Sequence, residues 1–220
     1  MSSCPAVSDG PPPTAAARWF AQALARAYPQ ARCALEFADP FQLLVATVLS
    51  AQCTDRQVNR ATGALFARFG GPALLAAASQ QDVEALVHSC GFFRSKARNI
   101  IALAATLVAE HGARVPADME QLIALPGVAR KTANVVLSVG FGRHAGIAVD
   151  THVGRLARRL GLSRHQDPVQ VERDLMALFP AAAWGALSLR LIEHGRQVCM
   201  ARAPRCGACS LARRCPSAPT

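Results

Sequence analysis

From Thr14 to about Met200 the apolar residues recur at helical spacing, segment after segment, and no stretch alternates convincingly with period two. That pattern predicts an all-α chain of about ten short helices. Cap signals divide them. Thr14 opens a helix that Tyr28–Pro29 stops, and Asp39–Pro40 opens the next. Thr54 with Gln57 reads as a capping box for a third helix, which ends at Gly70–Gly71. Ser79 with Asp82 starts another that stops near Gly91, and a long helix is predicted from about Ser95 to His111. Ala117–Ala124 and Arg130–Phe141 flank a tight turn at Leu125-Pro126-Gly127-Val128. Later helices are predicted over Thr151–Leu160, Pro168–Phe179 and Ala183–Met200, followed by loop. Residues 1–13, ending in three prolines, read as a flexible tail.

The loop after Met200 carries the first chemical signal. Cys199, Cys206, Cys209 and Cys215 lie in the order C-x6-C-x2-C-x5-C within 17 residues. With neither a secretory signal nor an apolar run long enough for a membrane, the default compartment is the reducing cytoplasm, where such a set binds metal. Structural zinc usually takes two C-x2-C pairs, or Cys mixed with His. One such pair with longer, unequal flanks favours a cuboidal iron–sulfur cluster over zinc. Cys33, Cys53 and Cys90 are scattered and read as small core hydrophobes; Cys4 lies in the tail.

Charge narrows the partner. The net charge is +10, which favours a polyanion, with nucleic acid first. Twenty-two of the 24 basic residues are Arg, and only Lys96 and Lys131 are Lys. Each of those two needs a reason. An amine can lose its proton and act as a nucleophile, whereas guanidinium cannot. Arg202, Arg205, Arg213 and Arg214 are interleaved with the cysteines, where they can balance an anionic cluster or meet phosphates.

Lys131 stands at a revealing place. Leu122 to Ala133 reads as helix, tight turn, helix, and a Gly-containing turn at a helix start offers amides to a phosphate. Arg130–Lys131 puts two cations in the first turn, against the helix dipole. Such a local violation is expected at a functional site. Further on, Asp150 in Val149-Asp150-Thr151-His152-Val153-Gly154-Arg155 reads as the N-cap of the next helix, a rigidly held carboxylate.

Taken together, Leu49-Ser50-Ala51-Gln52-x-Thr54-Asp55, Ser95-Lys96-Ala97, the Leu125–Ala133 hairpin, Val149–Arg155 and the cysteine loop with Pro204-Arg205-Cys206 resemble the bacterial endonuclease III family. That family lies in the helix-hairpin-helix DNA glycosylase superfamily. The resemblance spans about Asp39 to Cys215. It implies a two-domain, all-α fold: a six-helix barrel over residues 33–144, and a [4Fe–4S] cluster domain over 14–32 and 145–215, with DNA held between them. It implies a bifunctional DNA glycosylase and abasic-site lyase of base excision repair, acting as a cytoplasmic, nucleoid-associated monomer. The expected substrate is double-stranded DNA with oxidised pyrimidines or abasic sites, and no membrane is involved. Lys131 would be the nucleophile and Asp150 its carboxylate partner. Gln52 would fill the gap left by the flipped base, and Phe92, Gly127, Ala129, Arg130 and His152 would contact DNA. Two positions depart from the family pattern: Ala129 stands where a second hairpin glycine is usual, and Phe92 where a leucine wedge is usual.

Two rival readings follow. An adenine-mismatch glycosylase would share the cluster, but Lys131 speaks against it, as does a chain that ends at Thr220 without a further recognition domain. A non-catalytic DNA-binding module would keep fold and cluster yet never trap DNA covalently.

Overall fold

The computed structural model describes residues 14–219, and no strand occurs among them. The predicted tail, with Cys4, lies outside the described residues. The chain divides into two compact units, Cys33–Arg143 and the described parts of Met1–Arg32 with His144–Thr220.

The Cys33–Arg143 unit is built around α2 (Pro40–Leu49). Asp39 Oδ1 accepts from the Gln42 amide and Pro40 occupies the first turn, which fixes where α2 starts. From Leu43 to Leu49 every α2 residue is buried, so this helix is apolar on all sides and forms the axis of the unit. Thr47 is tolerated there because its hydroxyl donates to the Leu43 carbonyl at 2.7 Å. Around it lie α3 (Asp55–Arg68), α4 (Pro72–Ala76), α5 (Gln80–Val87), α6 (Phe93–Glu110), α7 (Met119–Ala124) and α8 (Arg130–Val135). Fully burying a Leu or Val stabilises by about 1.5–3 kcal/mol, and Leu43, Leu44, Leu65, Ile100, Leu103 and Leu107 are all fully buried.

Several details differ from the sequence prediction. Thr54 does precede α3, but its side chain makes no cap bond. Gln57 does not close a capping box; its Nε2 donates instead to the Ser89 carbonyl at 2.6 Å, so a tertiary bond displaces the local one. The short α4 was unpredicted, since five residues carry no helical period. Finally, the stretch predicted as Arg130–Phe141 widens after Val135 into a π-helical turn, Val136–Gly140.

The second unit packs α1 (Ala15–Ala27), α9 (Thr151–Arg159), α10 (Pro168–Leu178) and α11 (Trp184–Gln197) around Phe20, Leu24, Val153, Leu156, Val171, Leu175 and Leu191. In α9 the buried face is Val153, Gly154, Leu156 and Ala157, while Arg155, Arg158 and Arg159 occupy other faces. The segment after Met200 is not entirely loop: 3₁₀ turns at Cys206–Ala208 and Ala212–Arg214 set the spacing of the last three cysteines. Among the described residues no single helix is long and apolar enough to cross a membrane.

Candidate active site and cysteine-lined cavity

Lys131 is the second residue of α8 and is half-buried, while Arg130 beside it is exposed. The first turn of α8 contains no acidic residue and no side chain caps it. Two cations therefore face the positive end of the helix, as the sequence predicts. The turn before α8 is closed by the Val128 amide donating to the Leu125 carbonyl at 3.1 Å. Leu125 and Val128 are buried, while Gly127, Ala129 and Arg130 face outward. Gly127 has φ +75°, and a Cβ there would lie 3.0 Å from Asn99. Glycine is thus required both for conformation and for space.

Ala129 has φ −88° and ψ 164°. The departure from the usual glycine consequently carries no left-handed strain; the residue is the N-cap of α8 rather than part of its first turn. Ala129→Gly should change stability by less than about 0.5 kcal/mol, because a better cap is offset by a more flexible unfolded chain. Gly127→Ala should destabilise by about 1–3 kcal/mol and weaken binding to all duplexes alike. Denaturant melts and titrations on two unrelated duplexes check both. A sequence-dependent loss for Gly127→Ala would exclude a phosphate-only role.

Asp150 caps α9. Its Oδ1 accepts from the amides of His152 at 2.9 Å and Val153 at 2.8 Å, so the carboxylate is locked to the helix start. His152 is packed as well: its Nδ1 lies 3.1 Å from Arg155 Nη2, and Gly195 leaves room for it, since a Cβ there would approach its ring to 3.0 Å.

Gln52 and Phe92 share an unusual backbone. Both are exposed, and both are non-glycine residues in the left-handed region, at φ 52° and 58°. Phe92 is 70% exposed, the largest value for a large hydrophobic among the described residues. It is the N-cap of α6. Holding such residues at positive φ costs about 1–2 kcal/mol each, and Ala113 and Ala203 share the conformation.

The four cysteines line one cavity of about 160 Å³, together with Leu156, Leu160 and His194. Among the described residues no three His, Cys, Asp or Glu side chains converge as ligands of a single ion. Cys199 follows α11, with its amide bonded to the His194 carbonyl at 2.9 Å. Its sulfur accepts from Arg159 Nη1 at 3.2 Å, and its carbonyl accepts from Arg155. Cys209 Sγ accepts from the Leu211 amide at 3.4 Å and lies 3.5 Å from His194 Nε2. Burial pushes the Cys209 thiol up, and neighbouring Cys199 and Cys215 act in the same direction. That is the behaviour of thiols held close together. Burial drops His194 to about 4, so its imidazole is neutral; its Nδ1 pairs with the Tyr28 hydroxyl at 2.8 Å.

Sequence reasoning did not single out this shell of Arg155, Arg159, His194 and Tyr28. Arg155 closes the Val149–Arg155 motif, which was the one available signal. The arginines interleaved with the cysteines are exposed, and Arg214 lies over the Trp19 ring, 5.2 Å from its centroid.

Residues 45–181 match the HhH-GPD superfamily of base excision DNA repair proteins. The endonuclease III of Synechocystis sp. is 54% identical over 89% of both chains, and that of Bacillus subtilis 46% over 86% of both. A solved structure of a trapped endonuclease III–DNA covalent intermediate superposes with TM-score 0.88 at 43% identity, covering 91% of this chain and 94% of the other. The chain therefore belongs to the endonuclease III family, and is a DNA-binding base excision repair glycosylase with abasic-site lyase activity.

Proposed function

We propose that the substrate is double-stranded DNA carrying an oxidised pyrimidine or an abasic site, processed by a monomer at the nucleoid of the cytoplasm. Lys131 is the nucleophile and Asp150 its carboxylate partner. The observation that carries this is Lys131 itself. It is a partly accessible lysine in a chain of arginines, set in an uncapped, acid-free helix start behind an exposed glycine turn of the kind that binds phosphate.

The amides near Gly127, with Arg130, hold the backbone. Phe92 enters the stack and Gln52 fills the space vacated by the flipped base, while His152 contacts the strand. The Lys131 nitrogen attacks the sugar C1′; the bond from C1′ to the base breaks, and the base leaves with its electron pair and takes up a proton. Asp150 stabilises the positive charge developing on the sugar and assists the proton transfers. Ring opening gives an imine between Lys131 and C1′. Loss of a C2′ proton then expels the 3′ phosphate by β-elimination, and water releases the amine. Duplexes bearing single defined lesions test the assignment. Oxidised pyrimidines should be released and the strand cut on the 3′ side. Release confined to adenine mismatches, or binding without cleavage, would favour one of the rival readings.

Cys199, Cys206, Cys209 and Cys215 would hold a [4Fe–4S] cluster. Four thiols line one cavity, and a single C-x2-C pair with longer, unequal flanks favours a polynuclear group over zinc. With every ligand supplied by protein, its contribution is structural: it fixes the 199–215 loop and its exposed arginines. The purified protein should be yellow-brown, with about four irons per chain. Colourless, folded, active protein with stoichiometric zinc would contradict this.

A further inference from the structure

Lys96, the other lysine, is only 6% exposed. A buried ammonium persists where it is hydrogen-bonded, and its Nζ donates to the Ala51 carbonyl at 2.7 Å, 45 residues away in sequence. Its own amide donates to the Phe92 carbonyl at 3.1 Å. That backbone bond is the first turn of α6, so the Nζ bond is the one that fastens the helix capped by Phe92 to the peptide that leads into Gln52. Gln52 and Phe92 are both exposed and both held at positive φ, 52° and 58°.

The surroundings reinforce the bridge. Cys90 is fully buried, and burial together with the neighbouring Cys53 pushes its thiol up to about 11. Cys53 follows Gln52, and Cys90 precedes Phe92 by two residues, so this contact joins the same two loops. Gln57 Nε2 bonds the Ser89 carbonyl from the start of α3. Burial pulls the Lys96 ammonium down, while Cys53 and Cys90 act the other way. The choice of lysine in an arginine-rich chain also becomes intelligible. A compact ammonium can reach a single carbonyl in a closed space, whereas the five donors of a guanidinium fork would be left partly unsatisfied.

We propose that Lys96 is a positioning residue that locks the Gln52 and Phe92 loops into one rigid pair and so sets discrimination among the bases opposite the lesion. This rests on the reading of Gln52 and Phe92 as the side chains that enter the duplex. Two probes at fixed spacing meet each orphaned base differently; two loops free to move apart accommodate all four.

Single-turnover base release from duplexes with one oxidised pyrimidine opposite each of the four bases tests it, using wild type, Gln52→Ala, Lys96→Met and the double variant. The spread of the four rates within one preparation is independent of the fraction of folded enzyme. Lys96→Met should compress that spread about tenfold, the scale expected for loss of a charged hydrogen bond. The double variant should show the spread of Gln52→Ala alone. If Lys96→Met loses helicity, Lys96→Arg supplies the same comparison, since its fork cannot reproduce the single buried bond. Uniform slowing opposite all four bases, beside a changed spread in Gln52→Ala, overturns the role of Lys96 alone. No spread in wild type, or none altered by Gln52→Ala, overturns the probe reading and this inference with it.

Discussion

Lys131→Ala should bind abasic DNA yet yield no borohydride-trapped adduct, with strand cutting reduced by at least about 10⁴-fold, the scale on which loss of a key catalytic group lowers turnover. Removal of the amine leaves no atom to form the imine. The same change should leave the fold intact or slightly firmer. Lys131 opposes the dipole of α8 beside Arg130, and alanine is the better helix former. A gain of about 0.3–1 kcal/mol in denaturant melts is the expected companion of lost activity. Stability and chemistry moving in opposite directions separate this outcome from simple misfolding. Trapping at the wild-type rate would refute the assignment of the nucleophile.

Asp150→Asn should slow base release by about 10²–10⁴-fold, the range for a carboxylate that assists proton transfer and stabilises developing charge. Asparagine caps helices as well as aspartate does, so the bonds to the His152 and Val153 amides survive. Only the favourable charge at the N-terminus of α9 is lost, worth about 0.3–1 kcal/mol. A large kinetic effect on a nearly unchanged melting curve is the signature. Equal losses of stability and rate would reduce Asp150 to a cap.

Much of the fold is legible because caps and helix starts are local. Thr14, Asp39, Ser79 and Asp150 each cap through their own side chains where the sequence places a helix start. What stays hidden is set by partners distant along the chain. Gln57 abandons its predicted box for Ser89, 32 residues on, and Lys96 finds its acceptor at Ala51. Cys53 and Cys90 pack against the core as small hydrophobes, yet they also touch the loops that carry Gln52 and Phe92.

The site divides the same way. Lys131 stands out as one of two lysines among arginines and the four cysteines by their spacing, whereas Asp150 reads as an N-cap to which the family resemblance adds a role. The positive φ of Gln52 and Phe92 has no sequence signature, since neither residue favours that conformation. Arg159 and His194 reach the cysteine sulfurs only through the packing of α9 and α11. Ala129 shows the limit of pattern matching. The residue departs from the family motif, yet its φ of −88° makes the departure conformationally neutral.

The proposed chemistry joins the amine of Lys131 to the sugar of a damaged nucleotide. Wild-type protein incubated with a duplex containing one oxidised pyrimidine, reduced with borohydride, digested and mapped by mass spectrometry measures this directly. The sugar remnant should sit on the peptide containing Lys131, with no adduct on the peptide containing Lys96. An adduct on any other residue, or release of the base with no adduct at all, would contradict the account.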